Sequence, residues 1–144
     1  MMLATAALAC DGDDGSDAGE QPLPECVGFD VDGCAPLFSP TFDEIHTRLL
    51  VPQCTGGGSA CHFDGESLGA AEHGLALLDA DGAHALLLED RGNATFVTAG
   101  DASCSPLFVR LVVEGDRRSM PPGAPLTEGE RCTIAQWIEQ GALR

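Results

Sequence analysis

The sequence predicts a small, mostly α-helical domain with long loops. Two segments open with a capping box, in which a threonine precedes a glutamate by three residues, at Thr41–Glu44 and Thr127–Glu130. Ser105-Pro106 places a proline where the first residue of a helix is expected. No β-rich run competes with these signals. With 144 residues, of which 44% are hydrophobic, the chain can form one domain with a modest core.

Apolar spacing predicts four helices in order along the chain. The first follows its capping box and ends at Pro52, and the second is capped by Asp81. The third starts at Pro106, and the fourth ends at Gly141. The residues expected on the inward faces of the first, third and fourth helices are Phe42, Ile45, Leu49, Leu107, Phe108, Leu111, Val112, Ile134, Trp137 and Ile138.

The charge balance narrows the classes of partner. Acidic residues number 23 against seven basic ones, a net charge of −16. Nucleic acids and anionic membrane surfaces are therefore excluded as partners, because binding phosphate needs clustered Lys and Arg. An acidic surface suits either a positively charged partner or simple solubility. Residues 11–25 hold six acids and no periodic apolar pattern, so residues 11–38 are interpreted as an acidic tether before a domain at 39–144.

Residues 1–10 and the cysteine content predict export. Leu3 to Ala9 form a short apolar run typical of the end of an export signal, and Leu8-Ala9-Cys10 resembles a lipoprotein cleavage box with the lipid on Cys10. Such a protein would lie in the periplasm or at the cell surface. Seven cysteines fit an exported protein, and without Cys10 six remain for disulfides. Cys26 and Cys34 enclose a short turn-rich loop that a disulfide between them could close.

The chemistry of the chain centres on Cys61-His62 and Met120. A Cys-His dipeptide behind an earlier cysteine can hold haem, with a thioether from the cysteine and an axial ligand from the histidine. Met120, in a Pro-rich loop, can supply the second axial ligand. Six residues rather than two separate Cys54 from Cys61. The glycine-rich insert can bring Cys54 to a vinyl group, or let the two cysteines form a disulfide.

A zinc site is a third possible interpretation of the same residues. Cys54, Cys61 and His62, together with His73, are residue types that bind zinc. Export and possible disulfides argue against this reading. The other two histidines have structural interpretations: His46 is expected to be solvated, and His84 to be packed within an apolar helix.

Residues 40–143 resemble a class I c-type cytochrome domain, and most closely the planctomycete-type cytochrome c domains. Four pieces carry the resemblance in order: a helix running into Cys61-His62, then Gly74 to Leu77, then Gly100-Asp101, and finally Met120-Pro121-Pro122 followed by a helix containing Trp137-Ile138.

The resemblance implies roles for individual residues. His62 would be the proximal ligand of haem c, Met120 the distal ligand and Cys61 the second thioether cysteine. The family places its first thioether cysteine at position 58, which is Gly58 here, so Cys54 is displaced from that position. The first and last helices would pack together. The segments of Cys104 and Cys132 would be neighbours, which implies a disulfide between them. Residues expected in or beneath the haem crevice are Phe63, Leu75, Leu77, Phe96, Leu107 and Trp137.

Two functions therefore remain open. One is an exported, lipid-tethered, monohaem c-type cytochrome domain that transfers electrons with a redox partner bearing a basic docking face. The other is a haem-free, cytochrome-like lipoprotein, stapled by disulfides, that acts as a surface or interaction module. No Ser/His/Asp or Cys/His catalytic arrangement stands out, so no enzyme activity is expected.

Overall fold

The structure is a computed structural model that describes residues 21–56, 61–92 and 95–144. These residues form five α-helices and one π-helical segment, and their only β-type pairing is an isolated bridge between Thr98 and Asp101. The predicted mostly α-helical class is confirmed. The elements are α1 (Phe42–Ile45), the π-helical segment (His46–Cys54), α2 (Leu68–His73), α3 (Ala80–Leu88), α4 (Pro106–Val112) and α5 (Glu128–Glu139).

The first helix is longer than the sequence predicts. Helix α1 continues directly into the π-helical segment, which contains Pro52 and ends at Cys54. A proline ring clashes with the carbonyl four residues earlier in an α-helix, and the wider π turn relieves that clash. The predicted capping box at Thr41 is wrong, since its side chain makes no capping bond. The box at Thr127 and Glu130 is confirmed, with both reciprocal hydrogen bonds present. Helix α3 is capped by Asp79 rather than Asp81.

The core forms where α1 packs against α5. The Phe42 ring lies 5.5 Å from the Trp137 ring and 4.8 Å from the His84 ring. His84 donates from Nε2 to the carbonyl of Ala142 at 2.9 Å, so its prediction as a packed histidine is confirmed. All the predicted inward-facing residues are buried except Leu107 and Val112, which are half-buried.

His46 is buried, which corrects the expectation that it is solvated. It lies one turn after Phe42, and the two rings are 5.8 Å apart. Its Nε2 donates to the carbonyl of Leu77 at 2.9 Å. This bond satisfies the ring nitrogen inside the core and joins the first helix to the segment after α2.

Both predicted cysteine pairings are wrong. The structure has Cys26–Cys104 and Cys34–Cys132 disulfides, with Cα–Cα distances of 4.1 and 5.8 Å, in place of Cys26–Cys34 and Cys104–Cys132. The reason is that residues 26–38 lie against the helical domain. Val27 donates its N–H to the carbonyl of Ser103, so each of the two cysteines meets a different part of the domain.

Other contacts hold the same segment in place. The Phe29 ring packs edge-on against Phe108 of α4, with the ring centroids 5.2 Å apart. Leu37 donates its N–H to the carbonyl of Gly129 and to the hydroxyl of Thr133, both in α5. The segment therefore reaches both α4 and α5.

Non-reducing peptide mapping of the full chain tests these pairings. We expect to recover Cys26 cross-linked to Cys104 and Cys34 cross-linked to Cys132, because the folded segment 26–38 brings each pair together. The same digest after reduction is the control and should release all four peptides separately. Recovery of a Cys26–Cys34 peptide would contradict the packing described for this segment.

The Cys26–Cys104 and Cys34–Cys132 disulfides are compatible with an exported protein. No helix within the described ranges has the length and apolar character needed to cross a bilayer. Cys10, with its predicted lipid, and residues 11–20 of the predicted tether lie outside the described residues, as does Gly58.

Candidate functional site

A largely apolar cavity of about 210 Å³ brings the four predicted site residues together: Cys54, Cys61, His62 and Met120. The π-helical segment, α2, α4 and the loop after α4 form its walls. Of the predicted crevice residues, four line the cavity and two do not. Leu75, Leu77, Phe96 and Leu107 are on the wall, whereas Phe63 and Trp137 are not. Trp137 instead lies in the core and donates from its indole to the carbonyl of Leu143 at 2.8 Å.

A hydrogen bond from one ring nitrogen orients the side chain of His62. Its Nδ1 lies 2.9 Å from the carbonyl oxygen of Leu75. A carbonyl only accepts, so Nδ1 carries the proton and the neutral ring keeps a lone pair on Nε2. Burial lowers the pKa of His62. The bond to Leu75 opposes this, while the nearby charges of His73 and Arg110 reinforce it. The ring is therefore poised as a neutral nitrogen ligand.

Backbone bonds fix the position of His62. Its N–H donates to the carbonyl of Cys54 at 3.1 Å, which closes the loop between the two residues. Its own carbonyl accepts from Leu77 at 2.8 Å. Gly74 ends α2 with a φ of 67°, a conformation that glycine adopts without strain. The chain turns there, and the next residue, Leu75, places its carbonyl next to the ring of His62.

Met120 is tied to α4. Its N–H donates to the carbonyl of Arg110 at 2.8 Å, and the hydroxyl of Ser119 donates to the carbonyl of Val113 at 2.6 Å. The half-buried Met120 side chain packs against the core and lines the cavity. A thioether sulfur and a neutral imidazole are thus present on the walls of one cavity.

The two cysteines of the site differ in state. Cys54 is a free thiol, and burial raises its pKa to about 12, so it is protonated at neutral pH. Cys61 is not a free thiol. The possible Cys54–Cys61 disulfide is therefore not formed. Cys54 is therefore the cysteine of the site whose sulfur is not bonded to another cysteine.

Polar and ionisable side chains line part of the wall. They are Glu72, His73, Arg110 and Arg117. The His73 ring lies 6.5 Å from the ring of His62, and its Nε2 is 3.7 Å from Glu72. Within the described residues, no group of three or more His, Cys, Asp or Glu side chains is arranged to hold a metal ion. The four residues considered for zinc therefore do not form such a cluster.

Arg110 is a wall residue that sequence reasoning missed. It lies three residues after Leu107 on α4, and both line the cavity. Residues three apart share one face of a helix, so an arginine within this apolar stripe was the available signal.

Comparison with protein-family models, with curated proteins and with solved structures gave no match to this chain.

Proposed function

We propose that this protein is an exported, monohaem c-type cytochrome-like electron carrier, in which His62 and Met120 would bind the haem iron. The observation that carries the proposal is the hydrogen bond from His62 Nδ1 to Leu75, in a cavity that Met120 also lines. Histidines that bind metals usually donate their other ring nitrogen to a carbonyl or carboxylate in this way. The bond fixes the ring and leaves Nε2 as the ligand atom.

The residues of the cavity fit haem chemically. Haem, when bound, supplies one-electron redox chemistry, and His/Met ligation favours a raised reduction potential. The leucines and Phe96 provide an apolar wall that excludes water. Hydrogen bonds from Met120 and Ser119 hold the loop of the second ligand against α4. The packing of Phe42 in α1 against Trp137 in α5 supports the cytochrome-like arrangement, in which the first and last helices pack together.

Cys54 is the residue that we propose for covalent attachment. It lines the cavity with a free thiol, whereas Cys61 is not free. A thioether at Cys54 would replace the paired attachment that the family resemblance implies. The hydrogen bond between His62 N–H and the Cys54 carbonyl keeps this thiol segment next to the proposed ligand.

The location and partner follow from charge and disulfides. The two disulfides support export to the periplasm or cell surface, with a lipid on Cys10 as the proposed anchor. A net charge of −16 suits a redox partner with a basic docking face. The protein would carry electrons without catalysing a reaction of its own.

A haem-free module is the second candidate. The specific observation in its favour is that Cys61, which the family uses for a thioether, is not a free thiol. The two disulfides hold residues 26–38 on the domain without any cofactor. In this case the protein would be a disulfide-stapled surface or interaction module.

Expression of the full chain in a host with haem-attachment machinery tests the proposal. We expect a red product with a Soret band and a haem stain that survives denaturation, because Cys54 would bond the cofactor. The matched variant Cys54→Ala should keep the Soret band and lose the stain. A colourless but folded product from such a host would overturn the proposed function in favour of the haem-free module.

A further inference from the structure

Within the part of the chain that the structure describes, Arg110 forms no ion pair with a carboxylate, unlike five other arginines. All seven basic residues are arginines. Arg48, Arg91, Arg118, Arg131 and Arg144 each form an ion pair with a carboxylate, and Arg117 also has an interaction partner. Within the described residues, the guanidinium of Arg110 instead donates only to the carbonyl of Arg118, at 3.2 Å. The chain carries 23 acidic residues, yet none of the described ones pairs with this cation.

The surroundings of Arg110 disfavour an unpaired charge. The side chain is half-buried on the wall of a largely apolar cavity that Glu72 and Arg117 also line. Burial lowers the pKa of Arg110 and the nearby Arg118 lowers it further, while Asp116 opposes both. Asp116 is already held by Arg118 at 2.7 Å. A charge that leaves water without a partner is costly, so an anion at this wall would stabilise the site.

We propose that Arg110 binds a carboxylate group of the ligand that fills the cavity. This inference rests on the proposed function, under which the carboxylate is a propionate of haem. The apolar walls fit the apolar body of such a ligand, and a guanidinium offers a fork of N–H donors that matches a carboxylate. Arg110 is then a positioning residue, because it fixes the orientation of the ligand relative to His62 and Met120 on the same walls.

Titration of the full, oxidised chain with ferric haem and with ferric haem dimethyl ester tests the pairing. The ester keeps the apolar ring and lacks the carboxylate charge. We expect Arg110→Gln to weaken haem binding about tenfold, the lower end for a charged hydrogen bond because the site is partly exposed. The same variant should bind the ester as tightly as the unchanged protein does. Soret absorbance gives both affinities.

Arg48→Gln is the matched control, because Arg48 is exposed, pairs with Glu44 and lies off the cavity wall. It removes the same charge and should leave both affinities unchanged. Equal losses for haem and ester in Arg110→Gln, or no loss for either, would overturn the role of Arg110 and leave the proposed function standing. If the folded, unchanged protein bound neither compound, the proposed function and this inference would both fail.

Circular dichroism establishes whether Arg110→Gln folds. Should it not fold, the pH dependence of haem binding by the unchanged protein decides the question. The affinity for haem should fall as the pH is lowered and the propionates are protonated. The affinity for the ester should not show this fall, because the ester has no carboxylate to protonate. Matching pH profiles for the two compounds would overturn the pairing.

Discussion

Replacing His62 with alanine should abolish haem binding by the full chain. The affinity is expected to fall more than about 100-fold, which corresponds to about 2.7 kcal/mol, because the proposed axial nitrogen is lost. The side-chain bond to Leu75 disappears too, which should cost only about 1 kcal/mol of stability. Soret titration measures the binding, and circular dichroism shows that the fold is retained.

His73→Ala is the control for this variant, since His73 lines the same cavity, and its side chain remains half-exposed. It should bind haem with an unchanged Soret spectrum. Met120→Ala should retain haem but lower its reduction potential, because the thioether sulfur is removed. If His62→Ala kept the spectrum and affinity of the unchanged protein, His62 would not be the proximal ligand.

Removing the Cys34–Cys132 disulfide is expected to give a large loss of stability. While Cys26–Cys104 is intact, the shortest chain path between Cys34 and Cys132 passes through it and spans roughly 36 residues. The loop-entropy relation then gives a loss of about 4 kcal/mol in the free energy of unfolding for the double variant Cys34→Ala with Cys132→Ala. The total free energy of unfolding of a small domain is only about 5–15 kcal/mol. Urea unfolding at 25 °C measures the change.

Cys54→Ala separates the cross-link from the loss of a buried sulfur. Cys54 is half-buried and free, so this variant removes a thiol without opening a loop. The free energy of unfolding of this variant should fall by about 1 kcal/mol, the cost of a small deletion in the core. Equal losses in the single and double variants would mean that the disulfide contributes nothing beyond packing.

Local patterns predicted most of the helical structure. The box at Thr127 and Glu130 and the proline at Pro106 are local signals, because the interacting groups lie within four residues of each other. The end of the first helix was mispredicted at Pro52, since a widened turn can accept a proline that an α-helix rejects. The Thr41 pattern also failed, although it has the same residue types as Thr127.

The residues of the candidate site could be predicted from the sequence. The disulfide pairs near them and the hydrogen bond that orients His62 could not. Cys54, Cys61, His62 and Met120 all reach one cavity, as the order of motifs predicts. The disulfide partners could not be read from sequence, because six cysteines allow 15 pairings and the true pairs depend on long-range packing. Residues 26–38 gave no helical or strand period, so nothing local showed that they lie on α4 and α5. The carbonyl of Leu75 has no sequence signature at all.

The two disulfides also determine what happens when the backbone is cut. Each joins the segment containing Cys26 and Cys34 to the segment containing Cys104 and Cys132. A single peptide-bond cleavage anywhere between residues 35 and 103 therefore leaves two fragments that both of these disulfides keep covalently connected. That interval includes α1, α2 and α3 and the whole stretch from Cys54 to His62. In an environment rich in proteases, a nicked molecule would keep both halves of its cavity together until a reductant separated them.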